Sequence, residues 1–364
     1  MNIAIVEPHY HFSYLHATVR IAQSAGHGVH VFTIKQVWEE TKSFFSANPT
    51  CKLTTFSTIA DLLQHVLGAQ KEFDAILVNT IQILEWQNLM RVAYRMGQCP
   101  TAFTMHLADY WFEHPGYPLW KIRAGLRLHC RNVILRKSGG LMFLSEYAPE
   151  YARKRGYGRP IGVLPYAVRE ESAVIACRRT WSDDKVVFGV PGAINESRDY
   201  ALVLSAFERV FEVYGARVCL WLMGWPIGDY GERVIEQCRT FRDRGYDIRW
   251  EENEYVSETR MKQIARQVDF FLLPLNEKLF SGGVRATGTV FDALRLAKPF
   301  IMPKSYRLPD YVEKGCYSYE DEEEFGKRVS ECLRLQKSDM ETLQAHAEQN
   351  SMQFCPERWA GRFN

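Results

Sequence analysis

Short apolar runs, each followed by a segment of helical spacing, recur along the whole chain. Asn2–Glu7 closes on Pro8, and Val29–Thr33, Phe73–Asn79, Thr101–His106, Gly140–Ser145 and Ile161–Pro165 come after it. A second series holds Val186–Pro191, Arg217–Met223, Ile248–Trp250, Asp269–Pro274 and Pro299–Met302. Continuous apolar strands belong to parallel sheets covered on both faces. Their alternation with helices predicts an α/β chain with doubly wound sheets. A length of 364 residues suits two such domains. Arg169–Ser172 and Arg178–Asp184 are polar and aperiodic, and they mark a crossing between the two series. The expected layout is a Rossmann-like domain over 1–170, a linker over 171–184, a second Rossmann-like domain over 185–350, and a tail over 351–364 that packs back on the first, the two domains facing a cleft.

Composition removes several classes. A net charge of +2 is too small for bulk attraction to nucleic acid. The nine cysteines are scattered without a CxxC pair, so neither a zinc site nor a disulfide framework is expected, and the compartment reads as reducing and cytoplasmic. No run approaches the length of a membrane span, and the first residues form a strand rather than a signal peptide.

Candidate site residues cluster where open α/β sheets bind ligands, at the carboxyl ends of strands. His9 and His11 follow the first strand; no third ligand accompanies them, so they read as a polar cleft lining rather than a metal site. His106 ends the strand over 101–106, and Leu107–Phe112 reads as an aromatic loop. In the second half, Gly192 opens a loop that reaches Arg198 near the start of a helix over Tyr200–Tyr214. Gly192 permits close backbone approach, and Arg198 can fork onto a phosphate. The stretch from Ser281 to Pro303 reads as a glycine-rich loop, a short helix and a strand. Its free N–H groups at Thr287, Gly288 and Thr289 and its helix dipole favour an anion. Asp292, one turn further on, can accept from sugar hydroxyls, and Tyr255 offers a wall for a base. Two anion loops and a carboxylate together point to a nucleoside diphosphate carrying a sugar. Residues 110–137 interleave Trp111, Phe112, Tyr117 and Trp120 with Lys121, Arg123, Arg127, Arg131, Arg136 and Lys137, without an acid after Glu113. Such a segment suits an anionic membrane surface.

In this order the motifs resemble those of the GT-B glycosyltransferases, specifically the retaining family-four type. Strand 2–8 with Gly26-His-Gly28 resembles the opening strand and its turn. Met105-His106 followed by Asp109 resembles the first-domain His-Asp loop, Leu144-Ser-Glu146 a "VSE" strand end, and Val163-Leu-Pro165 the strand before the crossing. Gly192 to Arg198 resembles a "GR…EKG" loop, and Asp292-Ala-Leu-Arg-Leu-Ala-Lys-Pro-Phe-Ile301 resembles "EAMACGKPVI". Ala193 stands where the family has arginine, and Arg198 falls at or near its lysine. Asp292 fills the second acidic position, while Val284 occupies the first, with Glu277 upstream, or the backbone of Thr287-Gly-Thr289, as a substitute.

The resemblance implies a hexosyl-type glycosyltransferase that moves a sugar from a nucleotide-diphosphate sugar to a glycan or lipid-linked acceptor, with retention and without a metal. The nucleotide sugar is a co-substrate, and no cofactor is implied. His106 and Arg198 would be catalytic. Gly192, Tyr255, Thr287, Gly288, Thr289 and Asp292 would hold the donor, and His9, His11 and Asp109 would face the acceptor. A cytoplasmic protein, peripheral at the inner membrane surface through 110–137, is the matching location. A non-catalytic sugar-nucleotide binder, or an epimerase or phosphorylase on the same fold, is the alternative.

Overall fold

The computed structural model describes the chain except for residues 10, 46–50, 82–83, 113–121, 178–184, 253–255, 277–285, 310–311, 313 and 364. The chain divides into two units, each with its own parallel sheet. One unit is built mainly of Met1–Val168 and is completed by Pro356–Asn364; the other is Arg169–Gly283 with Thr287–Cys355.

The first unit alternates strand and helix: β1 (Asn2–Glu7), α1 (Phe12–Ser24), β2 (Gly28–Ile34), α2 (Lys35–Phe45), β3 (Lys52–Phe56), α3 (Ile59–Gly68), β4 (Ala75–Val78), α4 (Trp86–Arg95), β5 (Thr101–Met105), α5 (Ala108–Phe112), α6 (Ile122–Lys137), β6 (Gly140–Phe143), α7 (Ala148–Lys154) and β7 (Ile161–Val163). The strands lie in the order β3-β2-β1-β4-β5-β6-β7, all pairs parallel. β1 shows why the apolar runs are unbroken: Ala4 and Val6 enter one core with Leu62, Val66 and Val92, while Ile3 and Ile5 enter another with Leu15, Val19 and Val31. The strand is buried on both faces, as its sequence requires.

The second unit holds α8 (Glu171–Cys177), β8 (Val186–Val190), α9 (Tyr200–Tyr214), β9 (Val218–Leu222), α10 (Gly228–Asp243), β10 (Ile248–Trp250), α11 (Glu258–Ala265), β11 (Phe270–Leu272), α12 (Gly288–Arg295), β12 (Phe300–Pro303), β13 (Cys316–Tyr319), α13 (Glu322–Cys332) and α14 (Lys337–Ser351). Its sheet runs β10-β9-β8-β11-β12-β13, also parallel. Phe188, Phe207 and Phe270 anchor the core: the rings of Phe188 and Phe270 stack 5.6 Å apart, and Phe207 meets Phe188 edge-on. The chain ends in α15 (Pro356–Ala360), which packs on α1, with Phe363 against the His27 ring.

In both sheets the strand order reverses once, between β1 and β4 and between β8 and β11. At such a switch point neighbouring βα loops leave in opposite directions and open a crevice at the carboxyl ends. Two local readings of the sequence are corrected. Residues 108–112 form a helix, not a loop, because Trp111 is drawn into the core. Residues 171–177 form a helix within the stretch expected as linker, with Ala173 and Val174 buried.

Candidate functional site

At the switch point of the first sheet, the loop ends of β1, β4 and β5 gather a polar cluster. Glu7, the last residue of β1, is fully buried, and its Oε1 accepts the His9 N–H at 2.9 Å. Burial pushes its carboxyl up to about 8, against the opposing pull of the His9 N–H, Thr80 and Asn79. His11 sits at the start of α1 and meets Thr80 Oγ1 through Nδ1 at 2.8 Å. Its ring stacks on His106, with centroids 3.8 Å apart. Burial, then the neighbouring His106 and His9, hold His11 well below the ordinary histidine value. His106 Nε2 donates to the Asn79 carbonyl at 2.8 Å. A carbonyl only accepts, so the proton is on Nε2 and Nδ1 carries the lone pair. Burial lowers His106 to about 4, so it is a neutral acceptor near pH 7. Tyr14 and Tyr166 turn their rings toward the pair, and Tyr14 Oη lies 3.0 Å from Thr104 Oγ1.

The second sheet's switch point holds a cationic cradle. Arg198 precedes α9 and is 9% exposed. Its Nε donates to the Pro191 carbonyl at 3.1 Å, and its Nη1 donates to the Ala193 carbonyl at 2.9 Å and to Ser197 Oγ at 3.2 Å. Every acceptor is neutral. Among the described residues Arg198 has no carboxylate partner, and Nη2 donates no hydrogen bond. Burial lowers its guanidinium from the ordinary arginine value, and Tyr200, then Asp292, oppose this. A buried guanidinium bonded only to neutral oxygens is unfinished business electrostatically; an anion would complete it.

Gly192 shapes the cradle. It adopts φ +83°, and a Cβ there would lie 2.2 Å from Arg198 Nη2 and 3.0 Å from Thr289 Cγ2. The β8–α9 loop, the guanidinium and the first turn of α12 thus converge on one point. Gly224, after β9, presses from another side: a Cβ there would lie 2.0 Å from the Gly192 carbonyl oxygen. Thr287 caps α12 without a side-chain bond to the helix, so the first-turn N–H groups of Gly288 and Thr289 are open, with the positive end of the helix dipole. Thr287 N donates to Tyr306 Oη, and its hydroxyl lies 3.1 Å from that of Thr289. Asp292 is one turn inside the helix, its Oδ1 accepting from Arg295 Nε at 2.9 Å.

Within the first unit the structure brings His9, His11 and His106 together, and Asp109 lies in the first turn of α5. Within the second it brings together Gly192, Arg198, Thr287, Gly288, Thr289 and Asp292. Tyr255, Glu277 and Val284 lie outside the described residues, as does 113–121 of the basic-aromatic segment. Sequence reasoning missed Glu7, Tyr14, Thr80, Asn79 and Tyr166 in the first cluster, and Tyr306, Glu258 and Arg295 in the second. The available signal for Glu7, Asn79 and Thr80 was position: Glu7 ends β1, and Asn79 and Thr80 directly follow β4, at the switch point. Among the described residues no helix is long and apolar enough to cross a membrane.

No family model and no curated protein matches this chain. Solved structures do. Anabaena HepE in complex with UDP and glucose is 12% identical, with a TM-score of 0.69 over 100% of this chain and 98% of that one. An E. coli structure described as trehalose-6-phosphate bound with UDP-2-fluoro glucose is 10% identical, with a TM-score of 0.66 over 100% and 98%. A trehalose-phosphate synthase from Burkholderia vietnamiensis is 11% identical, with a TM-score of 0.59 over 100% and 95%. At these identities the likeness is one of fold: two Rossmann-like α/β domains in one chain.

Proposed function

We propose that this chain, which has the GT-B fold, is a glycosyltransferase that moves a hexosyl group from a nucleoside-diphosphate sugar to a glycan or lipid-linked acceptor with retention. The observation that carries the reading is Arg198: a buried cation, held only by neutral oxygens, beside the open first turn of α12 and a glycine that keeps side chains away. A diphosphate fits that chemistry, since fork-shaped guanidinium donors and helix N–H groups both match phosphate oxygens. The similar structures add support, because HepE holds UDP and glucose, and the E. coli protein holds UDP-2-fluoro glucose.

When the anomeric bond breaks, charge collects on the departing diphosphate. Preorganised donors aimed at that charge supply most of the stabilisation in such reactions. Arg198 and the Gly288 and Thr289 N–H groups take that role here, and on this reading a resident metal is not required. Asp292 accepts from the ribose. His106 is neutral with a lone pair on Nδ1, so it accepts from a sugar hydroxyl and helps to orient the sugar rather than giving a proton. His9, His11 and Asp109 are the acceptor-side residues of this reading, and 110–137 is its contact with an anionic inner-membrane surface, on a cytoplasmic protein.

Calorimetric titration with a panel of nucleotide sugars tests the reading. A preferred donor should bind to the wild type, and Arg198→Ala and Asp292→Ala should each weaken it by about 10-fold or more, the scale of a lost charged hydrogen bond. Unchanged binding in both variants would sink the assignment. Product analysis separates the remaining readings: transfer with retained anomeric configuration supports the proposal, while an isomerised sugar without acceptor, phosphate-dependent turnover, or binding with neither transfer nor hydrolysis points to an epimerase, a phosphorylase or a binding protein.

A further inference from the structure

Arg295 plays no part in the chemistry above, yet it is among the most tightly held side chains of the second unit. It is 4% exposed. Its Nη1 and Nη2 donate to Glu258 Oε1 and Oε2 at 2.5 and 2.9 Å, and its Nε donates to Asp292 Oδ1 at 2.9 Å. The two-pronged pair fixes the guanidinium plane, and so fixes the direction of the Nε–H bond. Glu258 opens α11, and its Oε1 lies 3.3 Å from Lys262 Nζ, which in turn lies 3.2 Å from Glu170 Oε2. Charges alternate along this row from Glu170 to Asp292. Among the described residues Asp292 Oδ2 accepts no hydrogen bond, and the Asp292 side chain keeps 17% exposure.

We propose that Arg295 is a positioning residue for the donor nucleotide: braced by Glu258, it occupies Asp292 Oδ1 and turns Oδ2 toward a ribose hydroxyl. The inference rests on the donor-site reading above. The electrostatics agree. Burial pushes the Asp292 carboxyl up, and Glu258 adds to this, while Arg295 and Arg198 pull it down. Without Arg295 the carboxyl would keep its proton to a higher pH and lose its strength as an acceptor.

Replacing Arg295 alone would leave the buried Glu258 with only the longer contact to Lys262, so the test uses the double variant Arg295→Met with Glu258→Leu. Apolar replacement of a whole buried pair is often neutral for folding. Arg295→Lys, which keeps charge but loses the fork, is the second variant. Each protein is titrated from pH 6 to 8 with the nucleoside diphosphate that the wild type binds best from a UDP, GDP, ADP and CDP panel, and with its 2′-deoxy and 3′-deoxy forms. The wild type should favour the ribonucleotide over at least one deoxy form. The double variant should bind the ribonucleotide about 10-fold more weakly, should lose that preference, and should weaken further as pH falls. Arg295→Lys should lie between. A folded double variant, or Arg295→Lys, with wild-type affinity, preference and pH profile overturns the inference. So does a wild type that binds a diphosphate without telling ribose from deoxyribose. A wild type that binds no nucleoside diphosphate overturns the donor-site reading, and the inference with it.

Discussion

Glu7 and His106 are both fully buried and both neutral near pH 7, and their titrations pull stability in opposite directions. Glu7 ionises above 4.5 in the unfolded chain but holds its proton to about 8 when folded. Between those values folding takes up a proton, so stability falls as pH rises. His106 gains a proton below 6.5 when unfolded but only near 4 when folded. Between those values unfolding takes up a proton, so stability falls as pH drops. Glutamine cannot ionise and can still accept the His9 N–H. Glu7→Gln should therefore gain on the wild type as pH is raised from 5 to 8, read as a growing difference in urea midpoints; a constant difference would mean that Glu7 is ionised in the fold. In the cradle, Gly192→Ala forces a Cβ to within 2.2 Å of Arg198 Nη2 at a backbone φ of +83°. It should cost about 1–3 kcal/mol in stability, from the strain of the backbone angle and the displaced guanidinium, and should weaken nucleotide binding as Arg198→Ala does. Wild-type nucleotide affinity in Gly192→Ala would show that the crowding at this point is not part of the anion site.

At the C-terminus of α12 the chain carries its one non-glycine residue with positive φ among those described, Ala297 at 51°. Two bonds close the helix there: Ala297 N–H donates to the Leu294 carbonyl and Lys298 N–H to that of Ala293. This is the Schellman pattern, whose left-handed residue is usually glycine. Ala297→Gly should therefore stabilise the protein by up to about 1 kcal/mol, observed as a higher denaturant midpoint with an unchanged slope; lower stability would mean that the buried Ala297 methyl contributes more than its backbone costs. The same element shows how far sequence can be read. The strands buried on both faces, such as β1 and β8, stand out as unbroken apolar runs, and the helix over Tyr200–Tyr214 was found with its observed limits. The edge strands β3 and β13 did not stand out, because they are short and polar residues such as Lys52, Thr54, Thr55 and Ser318 break the apolar run. For the site, glycines and hydroxyls near helix starts revealed Gly192, Arg198 and Thr287–Thr289. Glu7 and Asn79 stayed hidden because a polar residue after an apolar run reads as the end of a strand. Arg295 stayed hidden because an arginine on a helix is ordinarily solvated, and nothing in the sequence places Glu258 beside it.

For the whole molecule, the two sheets repeat one construction, a strand-order reversal with a crevice at the carboxyl ends, and fill it with opposite chemistry. The first unit lines its crevice with neutral rings and a protonated acid; the second lines its own with a cation hydrogen-bonded only to neutral oxygens and a helix N-terminus. Only the second suits a diphosphate, so on the proposed function the nucleotide response is local and traceable along the chain. A ligand that binds only the folded form adds about 2.7 kcal/mol to stability at 100 times its dissociation constant. With UDP or the preferred diphosphate at that excess, hydrogen exchange should slow first at the amides of 192–199 and 287–295, the loop and helix turn that meet at Gly192. In Arg198→Ala at the same concentration the added stability should fall to about 1.4 kcal/mol or less, because a 10-fold weaker site sees ligand at only about 10 times its dissociation constant, and the protection should shrink with it. Protection that instead begins at the His11 and His106 loops, or that is undiminished in Arg198→Ala, would move the diphosphate site to the first unit and reverse the division of labour between the two sheets.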